Sequence, residues 1–228
     1  MKHKKQPDIG TQLCFAVLDA DIVRTKQLLS EGADVNAVGN RRYTVVADRT
    51  ALWLAVSSAG TLGSEHWKEF INELGQLMPN VLNRDDAGKR RRYFQLVQLL
   101  IAAKANLEAL SFGSPPLWPA VNAGDLEMTK LLLASGANPN ARTFSVLSRL
   151  AKVERIKGPL GMMGYSGTVF HGAVKESIPA IVEALLTAGA NPSLVDDESK
   201  TPLDIALERG ADEIISLLRL SQSASVSN

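Results

Sequence analysis

The sequence predicts an all-α fold: a solenoid of stacked antiparallel helix pairs, with an inserted helix and loop and long connections between some of the pairs. Three observations predict it. The phrase "LLSEGADVNA" from Leu28 returns as "LLLASGANPNA" from Leu131, as "LLTAGANPSL" from Leu185 and, more weakly, as "LIAAKANLEA" from Leu100. A second phrase precedes each copy, as "TQLCFA" at Thr11, "TALWLA" at Thr50, "PPLWPA" at Pro115 and "TVFHGA" at Thr168, and a fifth copy, "TPLDIA", begins at Thr201. Thr11 to Leu28 and Thr168 to Leu185 are both 17 residues, and Thr168 to Thr201 is 33.

Each phrase has a physical reading. A leading Thr caps a helix N-terminus, and Pro is tolerated at a first helical position. Leu or Phe three residues before an Ala gives the first helix its buried side. At the other end, paired leucines and the apolar residues a turn earlier form a buried stripe. Gly32, Gly136 and Gly189 follow it, and glycine takes the left-handed conformation that closes a helix C-terminus. Lys104 stands in their place in the weaker copy. The Ala and Asn or Asp that come next suit a turn, because short Asx side chains bond the local backbone.

A 33-residue period with a T-P-L-H-x-A phrase, two helices and a turn resembles the ankyrin repeat. The chain is similar to free-standing bacterial ankyrin proteins. It reads as about five degenerate repeats, starting near Thr11, Thr50, Pro115, Thr168 and Thr201. One domain is expected over 11–220, after a basic tail at 1–10 and before a disordered tail at 221–228.

Three insertions interrupt the repeats, at about 37–49, 57–94 and 142–166. Ala33 to Thr50 is 6 residues longer than the 11 from Ala190 to Thr201, and its "NRRYTVVADR" reads as a short extended hairpin. Thr50 to Leu100 is 33 longer than the normal 17. It contains "EHWKEFINELGQLM", with Trp67, Phe70, Ile71, Leu74, Leu77 and Met78 at helical spacing, and then the polar loop "PNVLNRDDAGKRRRYF". Ala137 to Thr168 is 20 longer than normal; its first part has helical potential and its second has Gly158, Gly161, Gly164 and Gly167 at every third position. Long loops in a compact fold are functional or disordered, and both readings stay open here.

Composition narrows the function. With 228 residues, 45% of them hydrophobic and only 5% aromatic, the core must be built from Leu, Ala, Val and Ile. The net charge of +1 gives no broad attraction for nucleic acid or membranes. A single cysteine, Cys14, excludes an internal disulfide. No apolar run has the length of a signal peptide or membrane span, so the cytoplasm is the expected location.

Candidate chemistry is sparse. His171 holds the His position of the T-P-L-H phrase, and the resemblance implies a structural role, bonding the Thr168 hydroxyl and nearby backbone. Cys14, Trp53, Trp118 and Asp204 hold the equivalent positions, which is no catalytic series; Cys14 reads as a buried small residue, and the two tryptophans as packing. His66, Glu69 and Glu73 share a helix face and could hold a metal, but charges at that spacing mostly line a solvated face. "GPLGMMGYSGT" lacks the Gly-Lys-Ser/Thr ending of a phosphate loop. "KRRRYF" from Lys89 reads as a solvated loop or a patch meeting an acidic protein. No enzyme activity, cofactor or metal is therefore expected.

What remains is surface. The resemblance implies that partners dock on the turn tips and on exposed positions of the first helices. Here those positions are Phe15, Leu18, Asp19, Leu54, Ser57, Ser58, Asn122, Lys175, Glu176, Ile205, Glu208 and Arg209. The tips add Arg41, Arg42 and Tyr43, then Arg142 and Phe144. Phe15, Leu18 and Leu54 are apolar where exposure is expected, which suggests a partner, unless the inserted helix covers them. The expected function is a monomeric, non-catalytic protein binder, a bacterial inhibitor or immunity protein that neutralises a toxin, effector or enzyme. An adaptor with several partners, or an enzyme with its site in the insertions, is the alternative.

Overall fold

The computed structural model describes residues 6–43, 46–63, 86–144 and 167–226. Ten helices lie among them. The chain divides into two compact units, Met1–Ser111 and Phe112–Asn228. The first unit holds α1 (Ile9–Leu18), α2 (Ile22–Ser30), α3 (Ala51–Gly63) and α4 (Asp86–Ala102). The second holds α5 (Leu117–Asn122), α6 (Leu126–Ala134), α7 (Val169–Lys175), α8 (Pro179–Thr187), α9 (Pro202–Arg209) and α10 (Asp212–Val226). These are the five expected helix pairs.

Within each unit the helices form two layers. In the first, α1 lies beside α3 and α2 beside α4. In the second, α5, α7 and α9 form one row and α6, α8 and α10 the other. The alanines of the starting phrase, Ala16, Ala55, Ala120, Ala173 and Ala206, are all buried, and their size lets neighbouring helices approach. Leu28, Leu100, Leu132 and Leu185 of the stopping phrase are buried in the same way. At Gly172 the approach is extreme: an added Cβ would stand 1.9 Å from Cζ3 of Trp118. The Trp118 ring thus uses the space that any side chain at position 172 would need.

Helix starts follow the expected chemistry at three phrases. The hydroxyl of Thr50 accepts from the Trp53 amide, and Thr168 and Thr201 form capping boxes with His171 and Asp204. Thr11 differs. The helix begins a turn earlier, capped by Asp8, whose carboxylate accepts from the Thr11 amide and hydroxyl. Residues expected in a basic tail therefore belong to the first helix.

Other boundaries also move. The α3 helix reaches Gly63 and α4 starts at Asp86, so "KRRRYF" is helix rather than loop. Its Tyr93 is buried and donates to the Leu18 carbonyl at 2.7 Å. The expected hairpin at 37–49 is instead a turn-rich loop with isolated bridges, Val38 to Thr50 and Gly39 to Ala47. Gly39 lies so close to the Val46 carbonyl that a Cβ there would stand 2.1 Å from that oxygen. A small antiparallel pair, β1 (Arg142–Thr143) and β2 (Gly167–Thr168), brackets the third insertion. The expected disordered tail is helical through Val226, because Ile214, Ile215 and Leu218 bury one face of α10 and the helix runs on from there. The inserted helix with Trp67 lies outside the described residues, as do the rest of the third insertion and its glycine series up to Gly164.

Lys104 has φ +67°, in the left-handed region shared by Gly32, Gly136 and Gly189. An L side chain there costs about 1–2 kcal/mol, offset in part by the greater chain entropy of glycine in the unfolded state. Lys104→Gly should therefore raise stability by about 0.5–1 kcal/mol. Urea melts of the two proteins measure it, and a destabilised variant would contradict the left-handed assignment.

Candidate protein-binding surface

The tips share one local structure. Asp34, Asn106, Asn138 and Asn191 each accept from the amide two residues on, at 2.9 Å in all four tips. This is the Asx turn expected from their residue type. A second bond was not foreseen. The side-chain oxygen of Asn36 accepts from the amide of Asn106, and that of Asn140 accepts from the amide of Asn191, both at 2.7 Å. The second Asn of the phrase therefore ties one tip to the next within each unit.

Behind the tips, His171 is fully buried. Its Nε2 faces the carbonyls of Leu194 and Lys200 at 3.0 and 3.1 Å, so this nitrogen carries the proton and donates. The Nδ1 atom then accepts from the Thr168 hydroxyl at 2.7 Å. Burial lowers the imidazole pKa, with the nearby Arg142 charge adding to the effect, against opposing pulls from Asp196 and the two carbonyls. Cys14 does the same job in the first repeat: its Sγ lies 4.0 Å from the Ala37 carbonyl and 3.5 Å from that of Arg49. Burial pushes its thiol up to about 12. Both groups anchor a tip loop to a first helix. At the equivalent positions Trp53 lies under the Arg49 guanidinium, 5.9 Å away, and Trp118 covers Gly172.

Some expected surface residues come together. Phe15 meets Tyr43 edge to face, with ring centroids 5.4 Å apart. Arg41 and Arg42 are exposed, and the Arg41 guanidinium is held by Asp48 at 2.8 Å. Leu18 is half-buried, Asp19 is exposed, and Ser57 and Ser58 are half-buried. In the second unit Arg142 reaches the Asp197 carboxylate at 2.6 Å and the Val195 carbonyl at 3.2 Å. Phe144 is exposed beside it in sequence. Lys175 and Arg209 are exposed, Glu176 is half-buried, and Glu208 is exposed and pairs with Lys200 at 3.0 Å. Arg209 donates weakly to Ser177 at 3.4 Å. Asn122 is half-buried, and its Oδ1 has no partner among the described residues.

Two expected surface positions are not on the surface. Leu54 is only 4% exposed and Ile205 only 7%. The α3 helix is held between α1 and the long α4, and α9 lies against both α7 and α10, which encloses these side chains. Conversely, Val38, Leu110 and Val195 are 53%, 50% and 44% exposed. Each stands six residues after the left-handed residue that closes the preceding helix, and Arg142 holds the same place in the remaining tip. Aligning the stop phrases by that residue would have revealed this shared position. His66, Glu69 and Glu73 lie outside the described residues, as does the glycine-rich loop up to Ser166. Among the described residues, no group of three or more His, Cys, Asp or Glu side chains could hold a metal, and no helix is long and apolar enough to cross a membrane.

The family model "Ankyrin repeat" matches residues 112–144, the stretch that carries α5, α6 and the tip after them. This stretch is an ankyrin repeat. The chain is 29% identical over 207 residues to the putative ankyrin repeat protein YahD of Escherichia coli, covering 90% of this chain and 92% of that one. Human NF-kappa-B inhibitor alpha is 31% identical over 140 residues, or 60% of this chain and 42% of that protein. The human tRNA endonuclease ANKZF1 is 36% identical over 107 residues, but only 13% of its length is covered. Ankyrin repeats bind other proteins.

Proposed function

We propose that this ankyrin chain is a non-catalytic inhibitor or immunity protein of bacterial type, working in the cytoplasm, which neutralises one toxin, effector or enzyme by covering it. The observation that carries this reading is the exposed apolar residue at one tip position in each unit: Val38 and Leu110 in the first, whose tips also carry Arg42 and Tyr43, and Val195 in the second, whose tips also carry Arg142 and Phe144. Exposed apolar side chains beside Arg and Tyr have the composition of interface anchors. The non-catalytic part is supported by His171 and Cys14, whose reactive atoms are spent on holding loops. The inhibitor part is supported by the likeness to a protein named as an inhibitor and by that to YahD, a bacterial chain of similar length.

Affinity purification and mass spectrometry would supply the partner, and its activity would then be titrated with the purified chain. We expect a stoichiometric loss of activity. The double change Phe144→Asp, Val195→Asp and the single change Tyr43→Ala should each weaken binding by at least about 30-fold, the cost of losing a central anchor. Their melting temperatures should stay near wild type. Lys130→Ala, on the exposed face of α6, should change neither. A partner that keeps full activity when saturated would overturn the inhibitor reading, and affinity that survives all tip changes would overturn the surface.

A further inference from the structure

The α2, α6 and α8 helices are each 9 residues long and end two residues after their shared leucine. The α4 helix ends in the same register, but at 17 residues it begins eight earlier. Those eight residues, 86–93, add about 12 Å of helix at 1.5 Å per residue. They read "DAGKRRRY" and carry a net +3, on a chain whose formal net charge is +1, so the other residues sum to −2. Tyr93 fastens the extension: its ring is buried and its hydroxyl bonds the last carbonyl of α1. Arg91 and Arg92 are exposed and form no ion pair with any described residue.

We infer that this extension is a second contact surface, built to receive an acidic protein surface. Three of its four cations are arginine, whose planar guanidinium matches a carboxylate through two parallel bonds. Its neighbours decide between a protein and a nucleic acid. The Tyr93 phenol feels both Arg92 and Asp19, and Asp19 and Asp21 are exposed at the adjoining α1–α2 turn. The phosphates of a duplex stand at fixed positions and would meet those two carboxylates, whereas the carboxylates of a protein surface or an acidic peptide can reach the arginines and avoid them. The tips of the same unit follow the other ends of α2 and α4, so this surface is separate from them.

This inference rests on the protein-binding reading, and its test uses a defined probe. A fluorescein-labelled polyglutamate peptide is titrated with the full chain at low salt and followed by anisotropy, with a duplex DNA oligonucleotide as the rival ligand. We expect polyglutamate to bind more tightly than DNA. Arg91→Glu with Arg92→Glu should weaken it by at least about ten-fold, as charge reversal at a complementary surface does, and the milder pair Arg91→Ala, Arg92→Ala should follow in direction. Lys130→Glu should leave affinity within about two-fold, because an isolated exposed charge contributes little. Circular dichroism melts check that each variant is folded. Equal affinity of the wild type and both double variants, tighter binding of DNA, or no measurable polyglutamate binding would each overturn the assignment. Tyr43→Ala and Phe144→Asp should leave polyglutamate binding intact, so failure here and failure of the tip surface are told apart.

Discussion

Leu54→Asp should lower the melting temperature by about 10–20 °C. Leu54 is 4% exposed on α3. The change forfeits roughly 1.5–3 kcal/mol of apolar burial and places a carboxylate where no partner awaits it, which adds several kcal/mol. A sum of about 5 kcal/mol is comparable with the whole stability of many domains, and in a chain of this size each kcal/mol is worth about 2–4 °C. Leu54→Met, which keeps the volume, should cost under about 1.5 kcal/mol. Thermal melts followed by circular dichroism measure both. A Leu54→Asp protein that melts within about 3 °C of wild type would mean that the side chain faces water after all.

His171→Ala should cost about 3 kcal/mol. It leaves the Leu194 and Lys200 carbonyls and the Thr168 hydroxyl without the ring that joins them, and each buried group left unpaired costs roughly 1–3 kcal/mol, less where water enters. The pH dependence identifies the ring itself. Its pKa in the folded protein lies below the ordinary 6.5, chiefly because it is buried. Between those two values the unfolded chain binds the extra proton, so stability rises with pH. The contribution is complete above about 6.5 and is lost as pH falls below it, by up to about 1.4 kcal/mol per pH unit. Asp8 and Asp204 are held below the ordinary carboxylate value of 3.8 by their bonds to Thr11 and Thr201, so their losses begin only in more acid solution. Urea melts between pH 7.5 and 5 should show wild-type stability falling below about 6.5 and that fall missing from His171→Ala. A wild-type curve flat across that range would contradict the assignment.

The repeats were legible because they rest on local chemistry that recurs. Thr168 and Thr201 cap as their type demands, Leu28 and its equivalents bury, and the residue after each stop is left-handed even when it is Lys104. Boundaries set by longer contacts were not legible. The start of α4 depends on Tyr93 reaching a carbonyl 75 residues away, and α1 starts early because Asp8 offers a better cap than Thr11. The candidate surface was half legible. Arg42, Tyr43 and Phe144 lie on tips as expected. Leu54 and Ile205 were misread because their burial comes from neighbouring helices that periodicity along one helix cannot reveal. Val38, Leu110 and Val195 were missed because exposed apolar residues in a loop carry no periodic signal until the loops are aligned with one another.

Cys14 has a practical consequence. It is the chain's one sulfhydryl, buried and pushed up to about 12, so in the closed protein almost none of it is thiolate at neutral pH. Alkylating reagents react only when the first helix and its loop part and the thiol meets water. The rate of labelling therefore counts openings of the first repeat alone, with no dye or tag introduced. Purified protein also has no route to covalent dimers on standing in air while that repeat stays shut.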